Sequence, residues 1–529
     1  MSPVVKILSF VCLCAWLLSS ECTGRVAAQT LANANLYRPA FHLSPEKNWI
    51  NDPAGMVYAD GKFHLFNQYN PQSDQWGHMS WSHAVSLDLI HWQELPVALA
   101  EENGVAIFTG SVVVDAANSS GFGVKGNSPM VAIYTGNSAG LQTQNLAYSN
   151  DHGSTWTKYA ANPVLDLHLE NFRDPMVFWF APGKHWVMVV SLATQHKVIF
   201  YNSPDLKTWT RMSEFGPAGA NAVPNWECPN FFPLPVVNQA GTTKWVLELG
   251  VGDNGPAAGS ATQYFVGDFD GKTFHSENPD NQTLWMDYGA DFYAAQSFSG
   301  VPASDGRRIA VAWMDNWNYA SKLPTSPWRG QVTVPRELTL QRTSAGIRLV
   351  QAPVRELESL RQEHVQLRNA SWKDLQAMLA SRDWPQTLEI DADLQVENTP
   401  AEAAQEFGFL LRKGGSYGTR VGFDSTWNTV YVDRMHSGDL LVSQGFNQRH
   451  DAPVELANGH LRLHILLDRS SVELFAQNGL ATITDLIYPR PFDNVLSAYA
   501  TGHPPKVVSL DIWTLKAPST TQSSGLPLR

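Results

Sequence analysis

Strand-like runs recur along this chain at 62–69, 130–135, 185–192, 244–250 and 307–314, at a spacing of roughly 50–70 residues. Between them lies a second recurring signature. Ser86-Leu87-Asp88 leads to Trp92, Ser149-Asn150-Asp151 to Trp156, Ser203-Pro204-Asp205 to Trp209, and Asp268-Phe269-Asp270 to Phe274. An Asp-turn joining two strands, followed by an aromatic that packs on the next unit, accounts for each copy. The period exceeds that of a WD40 repeat and suits a four-stranded blade with long loops. Five units predict an all-β fold, a five-bladed β-propeller over residues 37–345. An irregular β-sandwich is the alternative arrangement of the same strands.

A propeller has a consequence for chemistry. The innermost strand of each blade faces a central funnel, so residues far apart in sequence converge on one axis. Three segments carry acids that can meet there: Trp49-Ile50-Asn51-Asp52-Pro53, Phe172-Arg173-Asp174-Pro175 and Trp226-Glu227-Cys228-Pro229. Each acid follows an aromatic within three residues and precedes a proline within two. A single Asp before Pro is usually a turn residue, and Arg beside Asp is usually a surface pair. Three acids in similar contexts, in three different units, point instead to one pocket.

Residues 346–380 read as a linker, in which 354–367, charged with apolar residues at helical spacing, is a linker segment or a short helix. Alternation returns at 388–394, 407–411, 430–433, 461–467 and 471–475, which predicts a C-terminal β-sandwich domain over 381–516. The Ser-, Thr- and Pro-rich stretch 517–529 reads as a disordered tail.

Residues 1–28 read as a secretory signal: Lys6, an apolar stretch over 7–18, and a small-residue cleavage site at Val26-Ala27-Ala28, with Gly24 an earlier option. The apolar stretch is too short to anchor a membrane, so a secreted protein without a membrane partner is expected. Of the four cysteines, Cys12, Cys14 and Cys22 lie in this leader, which leaves Cys228 and no internal disulfide. Asn118, Asn281 and Asn369 head glycosylation sequons. A net charge of −12 argues against nucleic acid as a partner. No phosphate loop is evident. His64, His78 and His83 read as structural rather than metal-binding, so no metal or cofactor is expected.

Cleaving a glycosidic bond with retention needs two carboxyl groups about 5–5.5 Å apart, one a nucleophile and one an acid/base. Asp52, beside Asn51, suits the ionised nucleophile. Glu227, longer and set between Trp226 and Cys228, suits the acid, which apolar surroundings would help keep protonated. Asp174 beside Arg173 would stay charged and suits sugar binding and transition-state stabilisation. Nineteen tryptophans favour a site for hydroxylated ligands.

In these three motifs, in their order and in their spacing, the chain resembles glycoside hydrolase family 32: the invertases, exo-inulinases, levanases and fructan hydrolases. It looks closest to the fungal exo-inulinases and invertases. The resemblance runs from Tyr37 to about Thr514 and implies a five-bladed propeller followed by a β-sandwich. It also implies a retaining β-fructofuranosidase acting on terminal fructosyl units of sucrose or fructans. It assigns Asp52 as nucleophile, Glu227 as acid/base and Asp174 as transition-state stabiliser. Sugar-binding positions fall by motif on Asn51, Gln68, Trp76, Phe108, Ser111, Arg173 and Trp313. Asp468 to Phe475 resembles a late signature strand with a packing role. A fructosyltransferase and a non-catalytic sugar binder are the alternatives, and either a monomer or a homodimer is compatible. Two positions depart from the family pattern: Ala54 replaces Asn in Asn-Asp-Pro-Asn-Gly, and Asn67 replaces Phe in Phe-Phe-Gln. Both are expected to bear on leaving-group preference or on the balance of hydrolysis against fructosyl transfer.

Overall fold

A computed structural model describes residues 36–124, 126–396 and 406–518. The expected leader over 1–28 and most of the expected tail over 517–529 lie outside them.

Five antiparallel sheets form the N-terminal part, and each strand-like run of the sequence is the second strand of a blade: Lys62–Asn70, Met130–Ser138, His185–Leu192, Thr243–Val251 and Arg308–Trp313. The first strands are Asn48–Ala59, Ala106–Val114, Phe172–Phe180, Trp226–Pro235 and Tyr293–Ser297. Neighbouring first strands pack together in a ring that runs from the first blade to the fifth and back. The ring is sealed where Trp328–Arg329 pairs parallel to Asn48 and Trp49, and where Ser299 bonds the backbone of Met56 and Tyr58.

The Asp signature joins the third strand of a blade to the fourth. Asp205 shows how. Its Oδ1 accepts from the backbone N–H of Lys207 and Thr208 at 2.9 and 2.7 Å, and Trp209 Nε1 closes the turn on Leu206 O. Asp88 and Asp270 accept from backbone N–H groups in the same way. The following aromatic packs on the preceding blade, not the next. Trp156 stands edge-on to Phe66 at 5.8 Å, and Phe274 edge-on to Phe215 at 5.2 Å.

A feature repeated in all five first strands positions the site. In each, two residues stand opposite one of the second strand. Asn51 and Asp52 face Gln68; Phe108 and Thr109 face Thr135; Asp174 and Pro175 face Val190. Cys228 and Pro229 face Leu249, and Ala294 and Ala295 face Ala312. Such a bulge bends the strand and re-aims its side chains. Pro175 and Pro229 sit in bulge positions, where a ladder N–H is not required. Asp174, Cys228 and Ala294 take φ of 66°, 49° and 53° there. The acid–proline pattern is therefore the sequence trace of a bulge.

The C-terminal part is a sandwich of a six-stranded and a five-stranded sheet around one apolar core. The stretch 346–380 is not a linker. Gly346–Pro353 is the outermost strand of the fifth blade, and Arg361–Ala370 is an edge strand of the sandwich, paired with Lys506–Leu515. Between them lies only the 3-10 turn Arg355–Leu360, followed later by the helix Trp372–Ala380. The spacing misleads because Leu357 and Leu360 bury under the turn, whereas Val365 and Leu367 alternate in a strand against the sandwich core.

Buried charges join the two parts. His42 bridges Asp468 and Glu473 at 2.8 Å each, and Arg336 pairs with Glu473 and with Asp287. Arg434 of the sandwich pairs with Asp291 at 2.6 Å. The late strand expected to pack does so through these two carboxylates.

Candidate active site

A cavity of about 450 Å³ opens at the bulged ends of the first strands. Asp52, Asp174 and Glu227 all line it, with Asn51, Gln68, Trp76, Phe108 and Arg173. The three acids come from the first, third and fourth blades.

Asp52 is buried, and one of its oxygens is fully engaged. Oδ2 accepts from Gln68 Nε2 at 2.9 Å and Thr109 Oγ1 at 3.0 Å, and Cys228 Sγ lies 3.4 Å away. Gln68 also donates to Thr109 at 2.6 Å, which orients that hydroxyl towards Asp52. Oδ1 is buried and has no protein partner. Burial, and next the Glu227 carboxylate, push the Asp52 carboxyl up to about 6, against hydrogen bonds from Thr109 and Cys228. Asn51 is itself held twice: its side chain accepts from Trp49 Nε1 and its carbonyl from Asn67 Nδ2.

Arg173 turns to Glu227, not to its sequence neighbour. Its Nε and Nη2 donate to Glu227 Oε1 at 2.9 and 2.7 Å, while Asp174 Oδ2 is 3.9 Å away. Tyr293 Oη donates a short hydrogen bond to Glu227 Oε2. The immediate partners of Glu227 are thus polar: Trp226 packs into an apolar cluster, and Cys228 Sγ lies against Asp52 and Asp174 instead. Asp174 differs from expectation as well. Burial pushes its carboxyl up, Arg173 pulls it back, and the Glu227 and Asp52 carboxylates add to the rise. Its Oδ2 accepts from Cys228 N at 3.0 Å.

Two expected sugar-binding residues do not line the cavity. Ser111 Oγ donates to Pro175 O and accepts from Val177 N, a tie between the second and third blades. Trp313 is fully buried behind Trp317, ring centroids 4.7 Å apart, and it is Trp317 that lines the cavity. Trp317 is 37% exposed and Trp76 50%, so two indole faces are open to a ligand. Gln142, Asn171, Asn225 and Gly252 complete the lining and were not read from sequence. They lie in or beside turns at strand ends, where no motif marks them, although Trp317 was detectable four residues beyond Trp313, past the end of Arg308–Trp313. Ala54 is buried in the core between the first two blades, and Asn67 holds the Asn51 carbonyl, so neither touches the cavity.

Among the described residues, no group of three His, Cys, Asp or Glu side chains is placed to hold a metal ion. His64 and His83 bond each other at 3.0 Å, and His78 pairs with Glu101. Asn118, Asn281 and Asn369 are exposed. No helix among the described residues is long and apolar enough to cross a membrane.

Known proteins share both parts. The levanase of Bacillus subtilis is 47% identical over 487 residues, covering 91% of this chain and 70% of its own. The extracellular exo-inulinase of Aspergillus awamori is 38% identical over 516 residues, covering 90% and 94%. The crystal structure of exo-inulinase from that species superposes with a TM-score of 0.83 at 36% identity, covering 91% of this chain and 98% of that one. The structure of fructofuranosidase from Schwanniomyces occidentalis complexed with fructose gives 0.84 at 31% identity, covering 91% and 99%. The glycosyl hydrolases family 32 N-terminal domain matches residues 42–353, and the family 32 C-terminal domain matches 356–514. With its propeller and its sandwich both matched, the chain belongs to glycosyl hydrolase family 32.

Proposed function

We propose that this protein is a secreted, retaining β-fructofuranosidase that releases terminal fructosyl units from sucrose, inulin or levan. The observation that carries the reading is that the buried Asp52 lines one cavity with Glu227. One oxygen of Asp52 is fixed by Gln68 and Thr109, which holds the carboxylate in place for attack on a fructosyl C2.

The reaction follows from the residues around it. Glu227 donates a proton to the departing glycosidic oxygen as the Asp52–C2 bond forms. Three carboxyl groups share the cavity with one guanidinium, so their like charge favours keeping one proton among them. The same Glu227 then takes a proton from water, which attacks C2 and frees Asp52. Asp174 and Arg173 hold sugar hydroxyls and stabilise charge developing on the ring. Trp76 and Trp317 offer open aromatic faces to the sugar. The relatives named levanase and exo-inulinase support fructans as substrates, and the apolar leader with three exposed sequons supports secretion.

Purified protein should release reducing sugar from sucrose, inulin and levan, and Asp52→Ala should abolish release from all three. An Asp52→Ala variant as active as the parent would sink the reading. Comparing kcat/KM on the three substrates ranks them. Fructose accumulating nearly as fast as glucose at high sucrose excludes fructosyl transfer as the main reaction.

A further inference from the structure

Thr135 and Gln144 face each other across the second and third strands of the second blade, both fully buried. Their side chains form a relay with one possible direction. The backbone N–H of Asp174 donates to Thr135 Oγ1 at 2.8 Å, and Thr135 Oγ1 donates to Gln144 Oε1 at 2.9 Å. Gln144 Nε2 donates to the carbonyl of Phe172 at 2.8 Å. A backbone N–H only donates and an amide oxygen only accepts, so the one hydroxyl proton must go to Gln144. That in turn fixes which end of the Gln144 amide meets Phe172.

The relay leaves the third blade at Asp174 and returns to it two residues earlier. It grips the bulge from outside its own sheet. Asp174 needs such a grip. It is not glycine, yet it holds φ at 66°, a left-handed conformation that is uncommon for residues with a side chain. It also stands where the ladder of its own blade skips a residue. The neighbouring blade supplies the missing hydrogen bond.

We infer that Thr135 and Gln144 are positioning residues for Asp174: they pin the bulge so that its carboxylate faces the cavity at one angle. This rests on the sugar-binding role proposed for Asp174. Neither side chain lines the cavity, so any effect on the reaction must pass through the residue they hold. A mere tie between blades would affect folding stability but would not depend on what side chain residue 174 carries.

The test is a double-mutant cycle on the full chain, with kcat and KM measured on sucrose and melting temperature recorded for each variant. Thr135→Val keeps the shape and removes the acceptor. It should lower kcat/KM by about 10- to 100-fold. Thr135→Ser keeps the hydroxyl and should stay within about 2-fold of the parent. In an Asp174→Ala background, whose residual rate is the reference, Thr135→Val should cost less than about 3-fold more. If Thr135→Val does not fold, Gln144→Met serves in its place: it leaves the Thr135 acceptor intact and deletes the Phe172 bond, and its loss should also vanish in the Asp174→Ala background. Full activity of both variants in the parent background overturns the inference, as does a loss of equal size in both backgrounds. Should Asp174→Ala alone prove as active as the parent, the underlying role of Asp174 fails and the inference with it. An impaired Asp174→Ala beside unimpaired Thr135→Val and Gln144→Met overturns the inference alone.

Discussion

Arg173 gives two of its N–H groups to a single oxygen of Glu227, Nε at 2.9 Å and Nη2 at 2.7 Å. Its remaining nitrogen, Nη1, is held by Asn171 Oδ1 at 2.9 Å and Gln142 Oε1 at 3.3 Å, so the guanidinium plane is fixed from both ends. Lysine keeps the charge and loses the fork. Arg173→Lys should therefore lower kcat/KM on sucrose by about 100-fold, with the protein folded. Steady-state kinetics with a melting curve decide it, and a loss below about 3-fold would mean that charge alone suffices.

The acid side of the pH profile belongs to Asp52. Burial and then Glu227 raise its carboxyl to about 6, and only the ionised form attacks, so activity should fall as pH drops through that value. Thr109 hydrogen-bonds the ionised form at 3.0 Å. Thr109→Val removes that bond, raises the Asp52 carboxyl further and should move the acid limb of kcat/KM to higher pH. Rates across roughly pH 4–8 show the shift, and a limb that stays in place contradicts its assignment to Asp52.

His42 links stability to pH at the junction of the two domains. Burial would depress its imidazole, but the hydrogen bonds and charges of Asp468 and Glu473 outweigh burial and push it up to about 9. A raised imidazole stabilises the fold fully below the unfolded value of about 6.5, and that stability is lost as pH rises through about 9. The contribution is of the order of 3 kcal/mol. His42→Gln should melt well below the parent at about pH 6, and the gap should narrow by about pH 10. An equal gap at both values would remove His42 as the linked group.

Trp317 offers an open face, whereas Trp313 is its buried support. Trp317→Ala should raise KM for sucrose by about 10-fold with a smaller change in kcat. Ser111→Ala should instead lower the melting temperature and leave KM unchanged, because its hydroxyl ties two blades and does not face the cavity. Equal effects of the two variants on KM would reverse these placements.

The residues readable from sequence were those with a repeated physical cause. The Asp-turns recur because a carboxylate caps the same strand connection in blade after blade, and the acid–proline motifs recur because each marks a bulge. Pairings set by tertiary contact were not readable. Arg173 and Asp174 are adjacent in sequence, yet Arg173 bonds Glu227, 54 positions away, because the third and fourth blades meet at the axis. Trp226 and Cys228 flank Glu227 in the chain, but Trp226 packs into an apolar cluster and Cys228 Sγ turns to Asp52 and Asp174. Residues 354–367 look helical by spacing and are a turn and an edge strand, because the first half buries at the junction of the two domains and the second half on the sandwich core. Asn171 and Gln142 act through Arg173, a relation with no local signature.

The central claim is a covalent fructosyl intermediate on Asp52, and methanol as acceptor tests it most directly. A methyl fructofuranoside does not mutarotate, so its anomer records the stereochemistry of the reaction. Sucrose and the enzyme in aqueous methanol, followed by NMR, should give methyl β-D-fructofuranoside, the product of two displacements at C2. The α anomer, or free fructose with no methyl fructoside at all, would contradict the account.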